Sequence, residues 1–234
     1  MSSYDETIKY KGYRISIEHD DDTENPYTDY DQTTDLVTWH RKYNFNSTRQ
    51  PDYKQKPNAA GKYPMRSYAP YDSPQEVLEA VKSGELVWAA PLYAYEHGGI
   101  TVNLGSMGNW PDQQWDCGLL GMVYVTKEKA KAEWPNYGGM VLQHVCHKRA
   151  ESEVKTFDMY LTGQVYGYWI WKKGEGRTKH DGETCWGCYG YDYCLSEAKG
   201  VVDQLVEEEA RLAAEAKAWE ERIREDYFIY SCAT

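Results

Sequence analysis

The most constraining feature of this 234-residue chain lies near its C-terminus. Leu195, Ala198, Val202, Leu205, Glu209, Leu212, Ala216, Trp219 and Ile223 follow one another at alternating steps of three and four, with Glu209 the one non-apolar member. Such steps mark one stripe of an α-helix, and Ser196 can cap its start. A helix of about 30 residues is about 45 Å long, longer than a domain of this size is wide. Part of it must therefore extend past any sheet it covers or pair with another chain. The stripe is narrow, as in a coiled coil, while Ala198, Ala216 and Glu209 weaken self-pairing. A homodimer through this helix is an expectation.

The rest of the chain carries enough apolar residues, 41%, for a real core, and 27% charged residues. Wholesale disorder is excluded. No apolar run approaches the roughly 20 residues of a membrane helix. Met1-Ser2-Ser3-Tyr4-Asp5-Glu6 has no basic or apolar export signal, so a cytoplasmic location with reduced thiols is expected. A net charge of −11 argues against direct nucleic-acid binding, which needs clustered Lys and Arg. The 22 Tyr and 9 Trp stand against only 3 Phe. Rings with a polar handle suit interfaces and half-wet pockets, although a lineage habit of Tyr for Phe gives the same count.

Alternation predicts a strand over 10–19 and β-branched and aromatic content another over 36–43. Between them, Glu18 to Asp35 holds eight carboxylates and no Lys or Arg. Residues 44–72 carry four prolines without a period and read as a long loop, functional or mobile. Ser73-Pro74-Gln75-Glu76 is a capping box opening a helix that Gly84 ends. Strands are predicted over 86–96, 100–104, 121–126, 164–171 and 183–191, with helices over 127–134 and part of 140–161. The last two strands are aromatic on both faces, which suggests a sheet centre or pocket wall. The fold class is α+β: a mainly antiparallel sheet, short helices and one long C-terminal helix. The expected division is an α+β domain over 1–194 and the helix with its tail over 195–234.

Three segments stand out in order: Leu-Tyr-Ala-Tyr-Glu-His-Gly-Gly-Ile-Thr (92–101), Trp-Asp-Cys-Gly-Leu-Leu-Gly-Met-Val-Tyr-Val-Thr-Lys-Glu (115–128), and Phe-Asp-Met-Tyr-Leu-Thr-Gly-Gln-Val-Tyr-Gly-Tyr (157–168) leading to Cys-Trp-Gly-Cys-Tyr-Gly (185–190). Together with Glu18-His19-Asp20 and Trp39-His40-Arg41-Lys42-Tyr43-Asn44, they resemble a widespread family of small proteins encoded by bacteriophages and mobile elements. The resemblance spans residues 8–200. The sequence departs from that family's pattern at Glu96, where Asp is usual, and at Cys117 and Cys188, where Ser and a larger aromatic are usual. Those cysteines are therefore poor candidates for obligatory chemistry. The resemblance implies a phage or plasmid setting and supplies no mechanism.

His97 lies at a glycine-flanked turn after the rings of Tyr93 and Tyr95, and Trp115-Asp116 precedes a glycine-broken strand. If the strands over 86–96, 121–126, 164–171 and 183–191 share a sheet, Tyr93, Tyr124, Tyr166, Tyr168, Trp186 and Tyr189 line one cavity. Glu96, His97, Trp115 and Asp116 then sit at its rim, able to bind a polar ligand or, with His40, to act as acid and base. The plainer alternative is that Asp116 caps a turn and His97 fixes a hairpin. Asp20, Asp21, Asp22, Glu24, Asp29 and Asp31 offer an acidic surface to a basic partner, or a solvated loop. They lack the glycine and terminal glutamate of a calcium loop.

Cys185-x2-Cys188 invites a zinc reading, but on a regular strand the two point to opposite faces and a turn at Gly187 would be needed. Buried thiols are the ordinary case, and neither metal nor cofactor is expected. No phosphate loop, dinucleotide fingerprint, nucleophile elbow or H-E-x-x-H motif is present. The function expected is a phage or mobile-element accessory protein that binds and interferes with a host defence component. It would use its acidic, Tyr/Trp-rich surface or pocket, taking a basic host protein or a small polar ligand and no membrane. Alternatives are a hydrolase or transferase acting on a nucleotide-like ligand through His97 and Asp116, and a structural virion or accessory protein.

Overall fold

A computed structural model describes residues 7–40, 42, 43, 45, 48–51, 65–68, 70–172, 174 and 183–231. The chain forms two compact units, one of residues 1–21 with 165–234 and one of residues 22–164. Each is built on its own antiparallel sheet, and together with the long last helix they make an α+β fold. The C-terminal helix thus belongs with the N-terminal strands in one unit, a grouping that a cut at residue 194 does not express.

In the first unit β1 (Ile8–Tyr10), β2 (Tyr13–His19), β9 (Val165–Lys172) and β10 (Glu183–Tyr189) lie in the order β1-β2-β9-β10. Ile15 faces Ile170 and Ile17 faces Tyr168, which sets the apolar members of both strands on one side. Against that side lies α6 (Tyr191–Ser231), through Cys194, Ala198 and Val202. Small residues at 194 and 198 let the helix backbone approach the sheet, and each buried Ile or Val contributes roughly 1.5–3 kcal/mol. The helix starts before Ser196, with Cys194 N–H donating to Gly190 O at 3.0 Å. β9 is central, as its two-sided aromatic pattern implies, but β10 is an edge strand of this sheet.

In the second unit β3 (Asp35–Thr38), β6 (Leu86–Glu96), β7 (Ile100–Leu104) and β8 (Cys117–Thr126) take the order β3-β8-β6-β7. β8 is central and buried without a break from Leu120 to Val125, where both faces are covered. Phe157, Val154, Ala150 and Cys146 of α5 (Gly139–Leu161) pack with Leu92, Ala94, Val102 and Leu120. Val77 and Ala80 of α2 (Pro74–Ser83) pack with Val37, Met122 and Tyr124. The Ser73 side chain accepts from Glu76 N–H, as the capping box predicts. The remaining helices are short: α1 (Pro26–Asp29), α3 (Gln113–Asp116) and α4 (Lys127–Glu133). Inside the stretch read as a loop over 44–72, β4 (Thr48–Pro51) and β5 (Met65–Tyr68) pair antiparallel. Among the described residues no helix is long and apolar enough to cross a membrane.

One polar anchor frames this unit. Glu153 of α5 is only 7% exposed and accepts from Thr33 N–H (3.0 Å), Thr34 N–H (2.9 Å) and Thr34 Oγ1 (2.6 Å). The carboxylate replaces the water those donors lose on burial, and so ties the end of the acidic segment onto the helix.

Candidate functional site

The strands expected to share one sheet belong to two. Tyr93 and Tyr124 lie on β6 and β8 of the second unit; Tyr166, Tyr168, Trp186 and Tyr189 lie on β9 and β10 of the first. The shared sheet on which that cavity was premised is not formed. Tyr124 is buried with α2 and meets Tyr71 edge-on, and Tyr168 is buried under α6. These are core rings.

The acidic run also divides. Asp20 and Asp21 fall in the first unit and Asp22, Glu24, Asp29 and Asp31 in the second. Asp20 accepts from Gly187 N–H at 3.0 Å and Asp29 from Asn25 N–H at 2.7 Å. Asp35, at the end of the run, holds Lys129 Nζ at 2.8 Å. Part of the run thus works locally as caps and pairs.

A concave site does form in the second unit, where β6 ends and β8 begins. It encloses about 420 Å³ and is lined by His40, Lys42, Glu96, Trp115, Asp116, Cys117 and the start of β8. Three local features place these groups. Tyr95 pairs with Cys117, so Glu96 and Asp116 are neighbours across the two strand ends. The strand predicted over 36–43 stops at Thr38, because its Oγ1 closes the following loop on Phe45, accepting its N–H at 3.2 Å and donating to its O at 3.1 Å. That loop carries His40 and Lys42 to the rim. Finally, a stack runs outward from the core: Phe157 edge-on to Phe45, Phe45 on Tyr43, Tyr43 on His40, with the last two centroids 5.3 Å apart.

Glu96 uses both oxygens, Oε1 toward His40 Nε2 and Oε2 toward Lys42 Nζ, each at 3.1 Å. Lys42 N–H points at His40 Nδ1 at 3.4 Å, so the neutral imidazole carries its hydrogen on Nε2, toward Glu96. On the other side His97 Nδ1 lies 3.2 Å from Asp116 Oδ2. His97 stacks on Tyr95, which stacks on Trp110. Trp115 is 86% exposed at the rim. Among the described residues, this group sets the Glu96 and Asp116 carboxylates against the Lys42 ammonium. Partial burial and the neighbouring Asp116 carboxylate hold the Cys117 thiol above its ordinary range, which disfavours the thiolate a nucleophile requires.

The structure therefore brings together five residues singled out from sequence: His40, Glu96, His97, Trp115 and Asp116. Tyr93 does not line the cavity, since it alternates to the face opposite Ala94 and Glu96. Sequence reasoning missed Lys42, Tyr95 and Trp110 as contributors. The spacing His40-x-Lys42, which sets two bases on one side of an extended segment, was the available signal for the first.

The cysteine motif requires a correction. Cys185 sits opposite Tyr168 and Cys188 opposite Tyr166, so three steps on β10 match two on β9. The extra residue is a bulge at Trp186-Gly187, with Gly187 in the left-handed region at φ 79°. Both thiols thereby come to one face instead of two, with Cys188 buried and Cys185 exposed. Burial pushes the Cys188 and Cys194 thiols up. Among the described residues no group of three or more His, Cys, Asp or Glu is arranged to hold a metal ion.

No protein-family model, no curated protein and no solved structure matches the chain.

Proposed function

We propose that this chain is a binding protein of phage or mobile-element origin that engages a host component in the cytoplasm through the cavity at the β6–β8 end. The observation that carries the reading is Trp115, 86% exposed beside the Glu96 and Asp116 carboxylates in a concavity of about 420 Å³. A tryptophan held in water contributes nothing to its own fold; against a partner's cation it supplies a ring face, and the carboxylates supply charge. The preferred occupant is therefore an arginine or lysine side chain on a basic protein surface, attracted also by the net charge of −11.

Capture from host lysate with the tagged full chain, its Trp115→Ala variant and its Glu96→Gln variant tests this. A stoichiometric basic protein, retained by the wild type and weakened about tenfold in either variant, is the expected result. Its retention should fall steeply between about 0.05 and about 0.5 M salt. Equal capture by all three proteins would remove the cavity from the interaction.

A second reading rests on the 3.2 Å approach of His97 Nδ1 to Asp116 Oδ2. An imidazole oriented by a carboxylate is a competent acid–base pair, and His40 with Glu96 makes a second one in the cavity that Asp116 also lines. A hydrolase or transferase acting on a nucleotide-like ligand would lose turnover but keep its fold in His97→Ala. A nucleotide co-purifying with the wild type selects this reading over the first.

A further inference from the structure

Helix α6 is 41 residues long, and among its described side chains only those of the first half pack on its own sheet. Cys194, Ala198 and Val202 are buried and Leu205 and Val206 half-buried, after which every residue from 207 to 224 is exposed. Glu209 marks the changeover. Its Oε1 accepts from Tyr13 Oη at 2.6 Å and Lys172 Nζ at 2.7 Å, so the one polar member of the stripe closes the packed section at the sheet's end. Beyond it the stripe continues without a break through Leu212, Ala216, Trp219 and Ile223. Leu212, Trp219 and Ile223 are 52%, 60% and 43% exposed.

What this face fits can be read from size and charge. Laid antiparallel on its own copy, the stripe matches Leu212 with Ile223 of the copy and Ala216 with Trp219 of the copy, each layer setting a large residue against a smaller or complementary one. The flanking position on one side then sets Glu215 against Arg222 of the copy, twice by symmetry. Laid parallel, the same stripe sets Trp219 against Trp219 and leaves a void between two copies of Ala216. It also sets Glu215 against Glu220, a like-charge contact at the positions that decide orientation in coiled coils. Ala213, Ala214 and Ala218 keep the helix flanks thin, so two backbones can approach.

We propose that residues 212–223 of α6 bind the same segment of a second copy of this chain in antiparallel orientation, with Glu215 and Arg222 as the reciprocal pair. This surface shares no residue with the β6–β8 cavity, and the proposal stands or falls independently of it. Two heptads make a modest interface, so association should build with concentration.

Sedimentation equilibrium of the full chain tests it. The expected mass rises from 27.1 kDa toward twice that value as concentration increases. Trp219→Glu should hold it at the lower value. Glu215→Arg and Arg222→Glu should each weaken association about tenfold, and the double variant should regain it. All these positions are exposed, and unchanged circular dichroism would show that the variants fold. A chain that stays at 27.1 kDa throughout overturns the proposal. So does association that survives Trp219→Glu. A Glu215→Arg variant that associates more tightly than the wild type would indicate the parallel arrangement and overturn the orientation.

Discussion

In the β9–β10 pair the rings lie on bare backbone; at the β6–β8 end they stand beside charges with water on the far side. A Cβ built on Gly167 would lie 2.2 Å from Trp186 Cε3, so the indole occupies the space a side chain would need. Trp186 in turn meets Trp169 edge-on. Trp115 has no comparable seat and is almost wholly exposed. Both regions mix aromatic residues with glycines in the sequence, yet the second sets an exposed ring beside Glu96, Asp116, His40 and Lys42 in one concavity. Aromatic density alone therefore marks a core wall as readily as a binding surface. The charges decide which it is.

The comparison breaks most visibly at Gly167. Gly167→Val places atoms inside the Trp186 ring, and β9 is central, flanked by β2 and β10, so its backbone has little room to retreat. Expelling the indole and straining the strand should cost about 3 kcal/mol, read as a lowered denaturant midpoint at unchanged slope. Gly167→Val with wild-type stability would mean that Trp186 leaves its seat freely, and that this pair is no more fixed than the cavity rim.

Much of this was legible before any coordinates. Period-two alternation located β2, whose Ile15 and Ile17 lie on its covered face. The three-four steps located α6 because the stripe holds whether or not a partner is present. The glycines set among rings over 166–168 and 185–190 left open whether a ring, a ligand or another backbone lies against the bare Cα at Gly167, and the structure puts the Trp186 indole there. Sheet membership was not legible. β9 and β8 look alike in sequence, and only the long-range pairing of β2 with β9 and of β3 with β8 separates them. Nor was the bulge at Trp186-Gly187, because a one-residue slip leaves composition untouched while reversing which face Cys188 takes. Residues singled out around the β6–β8 end lie near one another because the adjoining strand ends bring them there. They were mixed with β9–β10 rings where a shared sheet was assumed.

Glu153 gives an intermediate effect and sharpens the contrast from the cavity's own unit. Its carboxylate serves two backbone N–H groups and one hydroxyl of Thr33 and Thr34, just before β3, whose continuation carries His40 and Lys42. Glu153→Gln keeps the shape but turns an amide donor toward donors. The loss should be about 2 kcal/mol in stability, seen as a lower thermal midpoint. A variant as stable as the wild type would show that water reaches Thr34, and that the segment is held by its apolar contacts alone.

The smallest effect belongs to the rim. Lys42 Nζ meets Glu96 Oε2 at 3.1 Å, but its side chain is 58% exposed, so solvent screens most of the attraction. Such pairs are worth roughly 0–1 kcal/mol, and half-exposed ones fall at the lower end. Lys42→Ala should therefore leave the denaturant midpoint almost unmoved, in contrast to Gly167→Val. Its consequence lies in the charge of the cavity. Removing the ammonium leaves Glu96 and Asp116 without a lysine or arginine partner among the described residues. A cationic partner that competes with Lys42 for Glu96 should then bind more tightly, by about threefold to tenfold at low salt, with the gain fading as salt rises. Calorimetric titration with the captured partner measures this directly. Weaker binding in Lys42→Ala would reverse the sign of the field assigned to this cavity and point to an anionic group on the partner, turning the site from a cation receptor into one that uses Lys42 and the two imidazoles as donors.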